Sequence, residues 1–216
     1  MENKKNEIAS VDSLIEVESI VDKKANDFER IMYIYKSALK ILTTRFEIIN
    51  EEFKNYADYN PIDHITKRIK SPESIINKMK QKDLDLTYRN LVEYINDVAG
   101  MRIICSFKDD VYKIVEIIEN FNDIEIIKRK DYIENPKPSG YSSYHLIVRV
   151  PITVSEQTIY VKVEIQIRTT AMDFWASLEH KLKYKKVTNA KTSKELINIA
   201  KIMTKLDDKM MKIKVT

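Results

Sequence analysis

Glycine is nearly missing from this chain. Two occur in 216 residues, Gly100 and Gly140. Walker loops and dinucleotide fingerprints need several clustered glycines, so both are excluded, and any bound phosphate must be held by side chains. Cysteine is scarcer still. Cys105 stands alone, which excludes an intrachain disulfide or a thiolate metal cluster and fits a reducing cytoplasm. Three histidines leave little material for a zinc site. No run of about 18 uncharged apolar residues occurs, so no membrane span is expected. The opening MENKKNEIAS has no apolar signal core. With 44% apolar residues and a mean hydropathy of −0.38, the chain suits one sizeable core.

Charge is uneven. Residues 181–216 hold eleven lysines against Glu195, Asp207 and Asp208, a balance of +8 in a chain of net +4, so residues 1–180 carry −4. A solvated basic helix explains this stretch. Contact with an anionic partner such as single-stranded RNA is the sharper alternative.

Residues 1–25 are expected to begin loose and then turn helical. From Asp27 to Tyr56, Phe28, Ile31, Tyr35, Ala38, Leu42, Phe46, Ile49 and Phe53 recur at helical spacing. Ser71-Pro72-Glu73 reads as a helix start, with serine capping and proline in the first turn. A short helix is expected at 85–95, a buried strand at 102–107, a helix at 109–121 and a strand at 124–129. Two longer strands follow near 143–151 and 158–168, then helices at 169–184 and 191–213. The fold class is α+β, with a largely antiparallel sheet of four or five strands. The division expected is a helical segment (1–58), a catalytic unit (59–184) and a basic C-terminal helix (185–216), in one compact domain overall.

Four stretches could carry chemistry. Residues 160–168 alternate strictly, placing Tyr160, Lys162, Glu164, Gln166 and Arg168 on one face. The preceding strand puts His145 and Arg149 on such a face too. An ordinary solvated sheet face would look the same. Asp97 lies just before a buried strand and near Gly100, either as a local cap or as a carboxylate projecting into a cleft. Asp97 and Glu164 would make a plausible Mg²⁺ pair. Lys70, Ser74 and Lys78 share a face wherever their segment is helical, and such donors suit a polyphosphate. In residues 137–145, Gly140 permits backbone that other residues resist, and Tyr141 beside it could stack on a base.

These stretches are PIDHITKRIKSPESIINKM, DVAGMRIICSF, KDYIENPKPSGYSSYHLIV and VEIQIRTTAMDFWASLEHKLKYK. Together they resemble the synthetase domain of the RelA/SpoT family, most closely the small alarmone synthetases of the RelQ type. The resemblance implies a nucleotidyltransferase-like fold. It also implies magnesium-dependent transfer of pyrophosphate from ATP to the 3′-hydroxyl of GDP or GTP. Arg68 and Arg102 match the arginines that sandwich adenine. Lys70, Ser74 and Lys78 match donors around the ATP phosphates, and Asp97 matches the magnesium carboxylate. Glu164 matches the carboxylate that binds metal or activates the hydroxyl. Tyr141 matches the tyrosine stacked on guanine, and Lys137, His145 and Gln166 line the acceptor side. A homotetramer is implied as well.

The chain departs from its relatives at Lys67 (usually Gly), Lys130 (often Arg) and Ser142 (commonly Arg), which leaves the choice among GMP, GDP and GTP open. Thr43, Glu47 and Asp173 stand where Lys, Lys and Asn would be expected for an allosteric alarmone site, so weak activation or none is expected. No His-Asp pair of the family's hydrolase domain occurs, so synthesis without hydrolysis is expected. The alternative reading is an RNA-binding regulator with subordinated catalysis.

Overall fold

A computed structural model describes residues 27–154, 156–184 and 189–214. The expectation for residues 1–25 lies outside them. In chain order the elements are α1 (Asp27–Tyr56), β1 (Ile62–Ile69), α2 (Pro72–Gln81), α3 (Tyr88–Tyr94), β2 (Ala99–Cys105) and α4 (Lys108–Glu119). They continue with β3 (Glu125–Asp131), β4 (Tyr144–Val154), β5 (Gln157–Thr169), α5 (Thr170–Tyr184) and α6 (Ala190–Lys214).

The sheet runs β1-β2-β5-β4-β3. The β2–β5 pair is parallel and the other three pairs are antiparallel. This is the expected mixed, largely antiparallel α+β architecture. Alternation along β4 and β5 sends Leu146, Val148, Val150, Val161, Val163, Ile165 and Ile167 into the core. There they meet the apolar stripe of α1, including Ile31, Ala38, Leu42 and Phe46, and that of α4, including Val111, Ile114 and Ile118. One face of the sheet is therefore closed by helices, and the other is left for polar side chains.

Strand β1 was not legible in the sequence. A bulge between Ile62 and His64 breaks its alternation, and only Ile62 is fully buried along its length, so no period of two emerges. The helix start at Ser71 is as expected: its side chain accepts from the Ser74 amide, and Pro72 follows. Lys70 accordingly precedes the helix. It does not share a helical face with Ser74 and Lys78, as the four-residue spacing would allow in a continuous helix.

The basic C-terminal helix is packed, not merely solvated. Trp175 of α5 donates its indole N–H to the Leu196 carbonyl of α6 at 2.8 Å. The Thr169 hydroxyl donates to buried Asp207 at 2.8 Å, and Lys214 binds Asp109 and Asp110 at the start of α4. Gly140 has φ +90°, and a Cβ there would lie 2.5 Å from the Ala200 Cβ of α6. Both the backbone conformation and the close approach require glycine.

Candidate active site

Strand register assembles the site. Across the polar face, one row of paired positions reads Thr66, Arg102, Gln166, His145 and Lys130. The next reads Arg68, Gly100, Glu164 and Ile147. An open cleft of about 130 Å³ lies over them, lined by Lys67, Arg68, Asp97, Gly100, Arg102, Glu164 and Gln166 among others. Asp97 and Glu164, far apart in sequence, thus meet in one cleft.

Asp97 sits in the bend that leads into β2. Its Oδ2 receives the ammonium groups of Lys70 and Lys78, each at 2.6 Å. Burial pushes the Asp97 carboxyl up, but the two lysines outweigh it and hold it below the ordinary carboxylate range. Burial draws Lys70 down from its usual value. The other carboxylate oxygen, Oδ1, is buried without a hydrogen-bond partner. A buried anionic oxygen left bare is costly unless something else binds it. Among the described residues, no three His, Cys, Asp or Glu side chains gather into a metal site. A pair of carboxylates, completed by substrate phosphates and water, is how Mg²⁺ is commonly held, so Asp97 and Glu164 fit that ion.

Glu164 is the end point of a hydrogen-bonded ring. Arg168 donates to the Tyr141 hydroxyl, and that hydroxyl meets His145 Nε2 at 2.8 Å. His145 Nδ1 stands 3.5 Å from Glu164 Oε1. On the other arm, Arg168 donates to Gln166 Oε1 at 2.7 Å, and Gln166 Nε2 donates to Glu164 Oε2 at 2.9 Å. Burial holds His145 below its ordinary value, so the imidazole is neutral at pH 7. The tautomer that satisfies both neighbours carries its proton on Nδ1. Burial pushes Glu164 up, and the donors His145 and Gln166 bring it below the ordinary range. It is an ionised carboxylate with each oxygen oriented.

Arg168 is the buried hub, 4% exposed. Besides the ring, it donates to Asp173 at 3.1 Å and to Ser143 Oγ at 3.4 Å. Asp173 also receives Arg102 at 3.0 Å, so one carboxylate ties Arg102 to Arg168. Burial and neighbouring Arg168 draw Arg102 down from its usual value, and its Nε is buried without a partner.

Tyr141 is half-enclosed. The rings of Tyr132, His145 and Trp175 meet it edge-on at centroid distances of 6.0, 5.7 and 6.3 Å. The Lys137 ammonium lies 4.8 Å from its centroid. Lys137, Tyr141 and His145 thus gather on the β4 side of Gln166, which itself lines the cleft that holds Arg68, Arg102 and Asp97. Ser74 is set at the first turn of α2, where its hydroxyl accepts from Ser71 at 2.8 Å, one turn before Lys78.

A family signature described as the region found in RelA / SpoT proteins matches residues 67–189. This chain belongs to the RelA/SpoT family. GTP pyrophosphokinase YwaC of Bacillus subtilis (strain 168) is 46% identical over 87% of this chain and 90% of its own length. The crystal structure of small alarmone synthetase 2 from Bacillus subtilis superposes with a TM-score of 0.79 at 46% identity, covering 87% of this chain and 98% of that one. Small alarmone synthetase 1 from the same organism, bound to its product pppGpp, gives 0.82 at 35% identity over 88% and 97%.

In this RelA/SpoT chain the sequence reading overlooked two residues. Strict alternation had put Arg168 on the polar face but said nothing of its contacts. Asp173 stands in sequence at a position expected for an allosteric site, whereas its carboxylate faces Arg102 and Arg168. Of the other two allosteric positions, Thr43 is buried and donates to the Leu39 carbonyl, and Glu47 is exposed on α1.

Proposed function

We propose that this chain transfers a pyrophosphoryl group from ATP to the ribose 3′-hydroxyl of GDP or GTP, producing ppGpp or pppGpp and AMP. The 3′-oxygen forms a bond to the β-phosphorus as the bond from that phosphorus to the α-phosphate bridging oxygen breaks. AMP leaves with that oxygen, and the hydroxyl proton is lost. The observation that carries this reading is the division of one polar sheet face at Glu164. A cationic cleft lies on one side and an aromatic, donor-rich group on the other.

Such transfer needs positioning and charge compensation more than covalent chemistry. Arg68 and Arg102 present guanidinium planes that suit a purine. Lys70, Ser74 and Lys78 supply donors for the phosphates. Asp97 and Glu164 would hold Mg²⁺, which supplies Lewis-acid stabilisation of phosphate charge. Glu164 accepts the hydrogen bond of the attacking hydroxyl, since an oriented, ionised carboxylate is suited to receive that proton. Tyr141 offers a ring to guanine, and Lys137, His145 and Gln166 surround the acceptor.

A homo-oligomer, a tetramer by resemblance, belongs to the same reading. Exposed apolar side chains along α1 (Tyr33, Ile41, Ile48) and α6 (Ile202, Leu206, Met210, Ile213) support it. No helix among the described residues is long and apolar enough to cross a membrane.

The test is a product assay with ATP, Mg²⁺ and, separately, GMP, GDP and GTP. AMP should appear in step with a more highly phosphorylated guanosine nucleotide, and Glu164→Gln should abolish it without unfolding the chain. Full activity in that variant overturns the assignment.

A further inference from the structure

Helix α6 begins at Ala190, just past the end of the family signature, yet it backs the acceptor side of the site. Its inward face repeats at helical spacing through Leu196, Ala200, Met203 and Asp207. Leu196 and Ala200 form one apolar cluster with Trp175, and Tyr141 packs against it. The Ala200 methyl fills the place that a side chain on Gly140, next to Tyr141, would take. Gly140, Trp175, Ala200 and Asp207 border one small cavity between α6 and this loop.

The fourth position of the stripe breaks its pattern. Asp207 puts a buried carboxylate where an apolar residue would complete the packing. Burial pushes its carboxyl above the ordinary range, so the charge is costly there. The nearby Lys108 ammonium is bound to the neighbouring Asp208. What Asp207 holds is Thr169. The Thr169 hydroxyl donates to Asp207 Oδ2 at 2.8 Å and accepts from the Met172 amide at 3.2 Å. Thr169 ends β5 directly after Arg168, and Met172 lies in the first turn of α5, beside Asp173. Asp207 therefore grips the junction of β5 and α5, with Arg168 on one side and Asp173 and Trp175 on the other. Apolar packing has no preferred direction, so Leu196 and Ala200 alone leave α6 free to turn or slide. A hydrogen bond is directional and sets α6 against that junction. Tyr141 depends on both contacts: its hydroxyl receives Arg168, and its ring rests on the α6 cluster.

We propose that Asp207 is a positioning residue for the acceptor: by holding Thr169 it sets α6 behind Tyr141, and so fixes where the guanine nucleotide is bound. The inference rests on the reading of Lys137, Tyr141 and His145 as the acceptor side, and it gives Asp207 no contact with either substrate.

Asp207→Leu completes the apolar stripe, and Asp207→Asn keeps an oxygen that can accept from Thr169. Wild type and both variants are compared by thermal unfolding, by calorimetric binding of GDP, GTP and α,β-methylene ATP, and by initial rates of AMP formation. Replacing a buried carboxylate by a packed apolar residue is often neutral or stabilising, so the Tm of Asp207→Leu should stay within about 4 °C of wild type. Its affinity for GDP and its kcat/KM for GDP should fall about 10- to 100-fold, as when a change away from the chemistry displaces a binding group. Affinity for α,β-methylene ATP should hold within about threefold, because Arg68 on β1 and Lys78 on α2 stand at the far edge of the sheet from Tyr141. Asp207→Asn should keep GDP binding within about threefold. Thr169→Ser and Thr169→Val test the same bond without touching α6: serine should keep GDP binding and valine should lose it. Wild-type GDP affinity in Asp207→Leu or in Thr169→Val overturns the proposal. So does Asp207→Asn as impaired as Asp207→Leu. A lowered Tm with equal losses for both nucleotides also overturns it and makes Asp207 a structural residue. If wild type forms no product yet binds GDP and Asp207→Leu does not, the transfer reading fails and Asp207 still positions a guanine nucleotide. A wild-type chain that binds neither GDP nor GTP overturns both.

Discussion

Replacing Tyr141 by phenylalanine separates two roles that one residue combines. The hydroxyl links Arg168 to His145 and so belongs to one arm of the ring that ends on Glu164. Burial keeps this hydroxyl protonated, so it can donate to His145 Nε2 at any working pH. The ring, with its edge contacts to Tyr132 and Trp175, stays in Tyr141→Phe. Arg168 keeps Gln166 at 2.7 Å and Asp173 at 3.1 Å, so no guanidinium is orphaned. His145 Nε2 does lose its partner. Two lost hydrogen bonds and one unsatisfied, partly buried nitrogen cost about 2–3 kcal/mol, which lowers Tm by about 4–12 °C in a chain of this size. The Gln166 arm to Oε2 survives, so Glu164 is loosened and not freed. We expect kcat to fall about tenfold, one step of 1.36 kcal/mol, with the acceptor KM unchanged. Tyr141→Ala removes the ring and should raise the acceptor KM by about 5- to 150-fold, the range of one base–aromatic stack. Rates of AMP formation at varied GDP and saturating ATP, with parallel melts, decide the matter. A phenylalanine variant with wild-type kcat would falsify the orienting role of the ring. A raised KM with unchanged kcat would mean that the hydroxyl contacts the acceptor directly.

Two further changes probe the charge network. Asp97→Asn leaves Lys70 and Lys78 without their shared anion and puts a neutral amide in place of the carboxylate whose Oδ1 has no partner. Turnover should drop at least about 100-fold, as when a group that stabilises transition-state charge is lost, and stability by about 1–3 kcal/mol. Retained turnover at ordinary Mg²⁺ would refute the metal role. Lys162 concerns stability alone. Its ammonium donates to the Glu93 carbonyl at 2.7 Å, and burial brings its pKa down to about 8. The folded chain therefore sheds this proton before the unfolded chain does. Lys162 should add stability as pH rises from about 8 towards the unfolded lysine value of about 10.4. Denaturant unfolding across that range should show a wild-type gain that Lys162→Met lacks; parallel curves for the two proteins would refute it.

Much of the architecture was readable along the chain because its signals are local. The stripe from Phe28 to Phe53 marks α1, Ser71-Pro72 marks the start of α2, and alternation from Tyr160 to Arg168 separates core from polar face. β1 escaped because a bulge and an exposed edge leave it no period. The motifs around Asp97, Tyr141 and Glu164 supplied the chemical vocabulary of the site.

Neighbourhood was beyond any local signal. Periodicity says which face a side chain takes, but strand register says what stands beside it. The parallel pairing of β2 with β5 places Gly100 against Glu164 and Arg102 against Gln166. The antiparallel pairing of β4 with β5 sets His145 against Gln166. The first turn of α5, which follows β5 directly, brings Asp173 onto Arg102 and Arg168. By itself, then, the sequence determined the elements, the core face and the kinds of chemistry available. The closed ring on Glu164 and the lysine pair on Asp97 were decided by tertiary structure alone, because hydrogen-bond register between distant strands is a property of the assembled sheet.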